Sequence, residues 1–87
     1  MRAIEFSQIA LEEMLWYKTG NQNLIFKILE LINDIQKHPF EGIGKPEPMK
    51  NEYAGFWSRR INDEHRLVYK ITDEKIEISS CKGHYLT

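Results

Sequence analysis

Residues 55–69 read GFWSRRINDEHRLVY, and the fold turns on how this stretch is paired. Val, Ile, Tyr, Phe and Trp favour strands, so Phe56 to Ile61 and Leu67 to Ile71 form two extended segments across the polar turn Asn62, Asp63 and Glu64. A β-hairpin is expected. Side chains alternate along a strand, so Leu67, Tyr69 and Ile71 share one face while Arg66, Val68 and Lys70 share the other. With Ile61 packed like Leu67, Arg60 stands on the exposed face beside Arg66. Two neighbouring guanidinium groups repel unless an anion lies between them, and arginine's planar fork suits phosphate. Arg59, Arg60 and Arg66 are therefore candidates for the floor of an anion-binding site. The plainer reading pairs them at the surface with Asp63 and Glu64.

Upstream of the hairpin, Arg2 to Phe6 reads as a short strand closed by Ser7, a preferred helix N-cap. From Gln8 to about Thr19, Ile9, Ala10, Leu11, Met14, Leu15 and Tyr17 crowd one broad side, and Gly20 is a residue suited to a left-handed stop. Asn21 can cap a second helix with Leu24, Ile28, Leu31, Ile32 and Ile35 at helical spacing, widened by Ile25 and Leu29. Pro39 ends it by forcing His38 towards extended geometry. The short connection predicts an antiparallel helical hairpin whose stripe is buried on the sheet. After the turn at Asp73 and Glu74, Lys75 to Cys81 forms a further strand with Ile76 and Ile78 inward. The fold class is α+β: an N-terminal strand and an antiparallel two-helix hairpin packed on a four- to five-stranded, mainly antiparallel sheet.

At 87 residues and 41% hydrophobic content, the chain makes a single domain, 1–87, with one modest core. Twelve basic residues against 13 acidic ones leave a net charge of −1, so any contact with nucleic acid is local rather than polybasic. Cys81 is the sole cysteine, which excludes an internal disulfide and a cysteine-based metal site and fits a reducing compartment. No run approaches the roughly 18 apolar residues of a membrane span, and the start MRAIEFSQ lacks a signal-peptide core. A cytoplasmic protein without membrane contact is expected. His38, His65 and His84 are too dispersed for a metal site, and no phosphate-cradling or metal-binding motif is present.

Residues 39–55, PFEGIGKPEPMKNEYAG, hold all three prolines and three of the five glycines, with no periodic pattern. An ordered loop of this length is often functional. Glu47 stands between two prolines that stiffen the backbone, with Lys45 and Lys50 nearby. At the far end come His84 and Tyr85. A rigid carboxylate, arginines, lysines and a terminal His and Tyr together suit a metal-free ribonuclease. Such an enzyme needs a base for the 2′-hydroxyl, cations for charge developing on the phosphate, and an acid for the leaving 5′-oxygen. No cofactor is called for.

The order PFEGIGKPEPMK, then GFWSRRINDEHRLVY, then a final His-Tyr pair resembles the YoeB branch of the RelE-type toxins of bacterial toxin–antitoxin systems, over nearly the whole chain. The resemblance implies a RelE-like, microbial-RNase-like fold and a ribosome-dependent mRNA endoribonuclease acting in the A site. It also implies neutralisation by a YefM-like antitoxin. On that pattern Glu47 resembles the general base, His84 the general acid and Arg66 the transition-state arginine. Arg60 and Lys50 resemble phosphate-binding positions, joined here by Lys45 and Arg59, and Tyr85 resembles the aromatic that orients substrate. Leu86 and Thr87 extend past the pair that normally ends the family's chains, and Gly83 replaces a larger residue, which implies a looser tail. His65, Tyr69 and Trp57 are read as structural. Trp16 is a core residue or an interface for antitoxin or a second copy of the chain. The rival classes are a non-catalytic ribosome- or antitoxin-binding module and a plasmid-maintenance subunit without RNA contact.

Overall fold

Ser7 serves both elements that flank it. In the computed structural model, which describes residues 1–83, its hydroxyl caps the following helix by accepting the Ala10 N–H at 3.0 Å and donates to the Ser79 carbonyl at 2.7 Å. Strand β1 spans Ala3–Phe6 and helix α1 spans Gln8–Gly20. Ala10, Met14 and Tyr17, at helical spacing, form the narrow stripe by which α1 lies on the core. The broader apolar side expected from the sequence is corrected: Ile9, Leu11 and Leu15 are 60%, 47% and 56% exposed. A helix seated on a sheet by one stripe leaves residues on either flank of it in solvent. Gly20 is helical, and the chain leaves through Asn21 at φ −156°, so no left-handed stop is needed there.

Helix α2 spans Gln22–Lys37 and buries Ile28, Leu31, Ile32 and Ile35, as its periodicity predicts, while Leu29 stays half exposed. Asn21 precedes it without a side-chain cap; its N–H instead closes α1 by donating to the Tyr17 carbonyl. Among the described residues no helix is long and apolar enough to cross a membrane.

The remaining strands are β2 (Glu47–Pro48), β3 (Trp57–Arg60), β4 (Arg66–Ile71) and β5 (Lys75–Ser80). They join β1 in one sheet of order β1-β5-β4-β3-β2, with β1 parallel to β5 and every other pair antiparallel. The fold class expected from the sequence is therefore found with five strands. The loop after α2 is less irregular than its composition suggests, since Glu47 and Pro48 pair with Ser58 and Trp57 as an edge strand. Proline is tolerated at such an edge because one side of the strand has no ladder to feed. The hairpin turn is held by Asn62, whose Oδ1 accepts the N–H groups of Glu64 at 2.9 Å and His65 at 2.8 Å.

Arg59 does not take part in an open cationic surface, and its expected role in binding substrate is corrected. Its side chain is fully buried on the helix side of β3. Nη1 donates to Asp34 Oδ2 at 2.6 Å and to the Ile43 carbonyl at 3.1 Å; Nη2 donates to the carbonyls of His38 and Glu41. Nε donates to the Tyr69 hydroxyl at 3.1 Å, which donates in turn to the Pro39 carbonyl at 2.9 Å. All the donors of the guanidinium are consumed inside the fold, and none remains for a phosphate. The segment 38–44 is thereby bound to the sheet. Gly44, at φ +80°, comes so close that a Cβ there would meet Leu31 Cδ2 at 2.8 Å and Arg59 Cβ at 3.2 Å.

Removing one member of a buried ion pair strands its partner, at a cost of about 3–5 kcal/mol, against a total stability of about 5–15 kcal/mol for an ordinary domain. Arg59→Ala is expected to lower the urea midpoint by that order or abolish the cooperative transition. A midpoint equal to wild type would remove Arg59 from this role. The pH dependence follows from the same contact. The hydrogen bond from Arg59 holds the Asp34 carboxyl below its ordinary value of 3.8, against the opposing effect of burial. A carboxyl lowered on folding contributes stability that is complete above its unfolded value and is lost as pH falls through the lowered one. The melting temperature should therefore drop below about pH 4 in wild type, and drop less steeply in Asp34→Asn, which starts lower at neutral pH.

Candidate active site

The face of the sheet turned away from the helices is assembled by register. Directly opposed residues of an antiparallel pair point to the same side. Glu47 opposes Ser58, Ser58 opposes Val68, and Val68 opposes Ser80, which makes one row across four strands. Two residues further along, Arg60 opposes Arg66. The hairpin parity read from the sequence thus holds for both arginines. Alternation along β3 sends Arg59 into the core and its neighbour Arg60 to the opposite, exposed face.

Arg60 makes no side-chain hydrogen bond or ion pair among the described residues, while its N–H donates to the Gly44 carbonyl at 2.6 Å and so ties the loop to β3. Arg66 is half-buried. Its Nη1 donates to the Asn62 carbonyl at 2.6 Å and the His65 carbonyl at 3.1 Å, which aims the guanidinium and leaves Nε and Nη2 without a partner among the described residues. Like charges opposed across a strand pair are destabilising. The plainer reading of surface pairing with Asp63 and Glu64 carboxylates is not what the fold contains. Arg66 meets backbone carbonyls of the turn instead.

Glu47 is exposed, its backbone held in β2 by the pairing with β3 and flanked by Pro46 and Pro48. Its carboxylate has no hydrogen bond or ion pair among the described residues. Lys45, at φ +51°, and Lys50 lie on either side of that strand, both exposed. The register therefore brings Glu47, Arg60 and Arg66 to one face, with the two lysines flanking the strand that carries the carboxylate. His84 and Tyr85 lie outside the described residues. Among the described residues no His, Cys, Asp or Glu side chains cluster in a metal-holding group.

Two parts of this face escape the sequence reading. Val68, which alternation places on the exposed face with Arg66 and Lys70, is 1% exposed, and Met49 is 5% exposed; both lie apart from the main apolar cluster. A register shift between Val68 and Tyr69 brings Ser80 opposite Val68, which strict alternation along β4 could not reveal. Phe56, two residues before Ser58, carries the Lys70 ammonium 5.6 Å from its ring centroid and packs edge-on to Tyr53. The alternation Phe56, Ser58, Arg60 was the signal that could have placed it.

Where β5 ends, the chain turns over β4. The Arg66 N–H donates to the Gly83 carbonyl at 2.9 Å, and the Gly83 N–H donates to His65 Nδ1 at 2.9 Å. Gly83 is thus held on both sides, at φ +87°, and the tail expected to be looser lies outside the described residues. Cys81 is buried, and burial first, with Glu13 adding to it, pushes its thiol up to about 12. It is no nucleophile at neutral pH.

A model of the family described as the YoeB-like toxin of bacterial type II toxin–antitoxin systems matches residues 6–85. Toxin YoeB of Synechocystis sp. is 48% identical over 82 residues, covering 94% of this chain and 95% of that protein. Among solved structures, the YoeB dimer from Staphylococcus aureus superposes with a TM-score of 0.91 at 45% identity, covering 97% of this chain and 98% of that one. The YoeB–YefM complex from the same organism gives 0.88 at 45% identity, covering 98% and 99%. With the sheet order, the hairpin arginines and the edge-strand glutamate all in place, the chain belongs to the YoeB-like toxins of bacterial type II toxin–antitoxin systems.

Proposed function

We propose that this toxin is a cytoplasmic mRNA endoribonuclease that cleaves in the ribosomal A site and so inhibits translation. The observation that supports it most is the pairing of Arg60 with Arg66 on an open sheet face that also carries Glu47, whose carboxylate has no partner among the described residues. Such a face suits an anionic phosphodiester flanked by a base. In the proposed reaction Glu47 takes the 2′-hydroxyl proton and the 2′-oxygen attacks phosphorus. The bond to the 5′-oxygen breaks, and that oxygen receives its proton from His84. Arg66 stabilises the charge gathered on the phosphoryl oxygens, Arg60, Lys45 and Lys50 hold the phosphates, and Tyr85 orients the substrate. No metal or cofactor enters these steps. The chain's small net charge makes the ribosome the natural source of the remaining affinity for RNA.

A YefM-like antitoxin is the proposed partner, supported by the complex of the Staphylococcus aureus relative. A second copy of the chain is the other, supported by that relative's dimer and by the exposed Leu11, Leu15, Phe26 and Leu29 on the two helices.

The products should carry a 2′,3′-cyclic phosphate, or the 3′-phosphate it hydrolyses to, and a 5′-hydroxyl. End-labelling of ribosome-programmed mRNA after cleavage reads this directly, and a 5′-phosphate would overturn the mechanism because water would then be the nucleophile. Losing one cation aimed at developing charge costs about 10²–10³ in kcat, so Arg66→Ala should fall by that order. Its melting temperature should move little, since the side chain is half-buried and opens no core cavity. Glu47→Gln, which keeps the shape and removes the base, should lose about 10²–10⁴. A non-catalytic ribosome or antitoxin binder would instead leave mRNA intact in every one of these samples while wild type still arrests translation.

A further inference from the structure

Beyond Ser58 and Val68, at the end of the open face away from the two arginines, the side chains change from charged to aromatic. The register of β3 and β4, carried one step past Trp57 and Tyr69, sets Phe56 beside Lys70, whose ammonium stands 5.6 Å from the Phe56 ring centroid. Tyr53 packs against the same ring, with 6.3 Å between centroids and 83° between planes. The two rings make a corner. Its backbone closes on itself: the Met49 N–H donates to the Phe56 carbonyl at 2.9 Å, the Phe56 N–H donates to the Tyr53 carbonyl at 2.9 Å, and a 3₁₀ turn, Asn51–Tyr53, lies between.

Tyr53 is 36% exposed and Phe56 half-buried, and neither joins the main apolar cluster. A minor apolar patch with Met49 and Val68, buried on the same face, would not call for a lysine over one of its rings. Lys70 opposes Glu77 across β4 and β5, yet its ammonium lies on Phe56 and forms no ion pair among the described residues.

Spacing along the strands ties this corner to the site above. Residues two apart on one face of a strand are about 7 Å apart. At that interval follow Arg60 with Arg66, then the row of Glu47, Ser58 and Val68, then Phe56 with Lys70. With a phosphate at the arginines and the 2′-hydroxyl at Glu47, the sugar bearing that hydroxyl lies over the middle row, and its base is one step from the two rings. Single-stranded RNA is held in this way, by bases stacked on aromatic side chains beside a cationic track. Since no carboxylate fixes Lys70, an entering base displaces its flexible stem towards the phosphates of the same strand.

We propose that Tyr53 and Phe56, with Lys70 beside them, form a stacking subsite for the base immediately 5′ of the cleaved bond, the base of the nucleotide whose 2′-oxygen attacks. The subsite rests on the ribonuclease reading above. It accepts any base, because every base has a π-face, and it holds that nucleotide with its 2′-hydroxyl at Glu47.

The test is cleavage on purified ribosomes by the full-length toxin of two messages, one whose cut has been mapped and one with an abasic nucleotide immediately 5′ of that cut. Stacking of one base is worth about 5- to 150-fold, so Phe56→Leu, which keeps the apolar bulk, should lower kcat/KM on the intact message within that range. Phe56→Tyr should match wild type. On the abasic message wild type should fall to the level of Phe56→Leu, and the substitution should cost nothing further. Tyr53→Leu should show the same pattern with a smaller loss, and Tyr53→Phe none. Equal losses for Phe56→Leu on both messages, or a Phe56→Tyr as impaired as Phe56→Leu, would overturn the subsite and leave the rings a structural patch. Wild-type cleavage by Phe56→Leu with weakened binding of the antitoxin would also overturn it, making the corner a protein-docking surface. Should the melting temperature show that Phe56→Leu does not fold, the Tyr53→Leu and Tyr53→Phe pair on the two messages decides. Cleavage by wild type with unaltered variants sinks this inference alone, whereas no cleavage of the intact message by wild type sinks the ribonuclease reading itself.

Discussion

The buried guanidinium of Arg59 is the contact on which the site's geometry depends. An arginine is placed in a core only when its charge is balanced and every donor is occupied, and here Asp34 supplies the balance while carbonyls of residues 38, 41 and 43 and the Tyr69 hydroxyl take the rest. The effect reaches outward. The same bonds hold the chain between α2 and β2 against the sheet, and β2 carries Glu47. The loop, already stiffened by its prolines, is held at its start by Arg59, at Gly44 by the Arg60 N–H, and at its end by pairing with β3.

The two adjacent arginines divide the sheet between structure and chemistry. A strand turns successive side chains to opposite faces, so Arg59 enters the helix side and Arg60 the open side. Arg66 meets Arg60 by register rather than by sequence proximity. The like-charge contact is eased by the turn, where Asn62 and His65 offer carbonyls to one nitrogen of Arg66. The other nitrogens have no partner among the described residues. An open face with cations that find no carboxylate among the described residues is poorly suited to stability and well suited to an incoming phosphate.

The helical layer is incompletely covered by its own chain. Only one stripe of α1 reaches the core, through Ala10, Met14 and Tyr17, and apolar side chains remain outside on both helices. From the same helix, Glu13 and Tyr17 extend to the end of β5. One element therefore combines an apolar outer surface with polar contacts that run to the segment leading into the tail.

Local signals were enough for much of this protein. Alternating strand formers around Asn62 to Glu64 determined the hairpin and the shared face of Arg60 and Arg66, because side-chain parity is a property of the backbone and needs no partner. Helical spacing determined α2 and its buried row, and Pro39 its end. The exposed width of α1 does not follow from its periodicity, since spacing shows which residues share a side but not how deeply that side is seated. Tertiary structure alone decided that Arg59 is a core staple while Arg60 has no side-chain partner among the described residues, that Glu47 belongs to an edge strand, and that Val68 is buried beside a register shift. It also decided that Cys81 is held by Glu13 from 68 residues away. Each of these depends on where a distant segment passes, and a buried donor or acceptor is satisfied by whichever group the fold brings within hydrogen-bond reach.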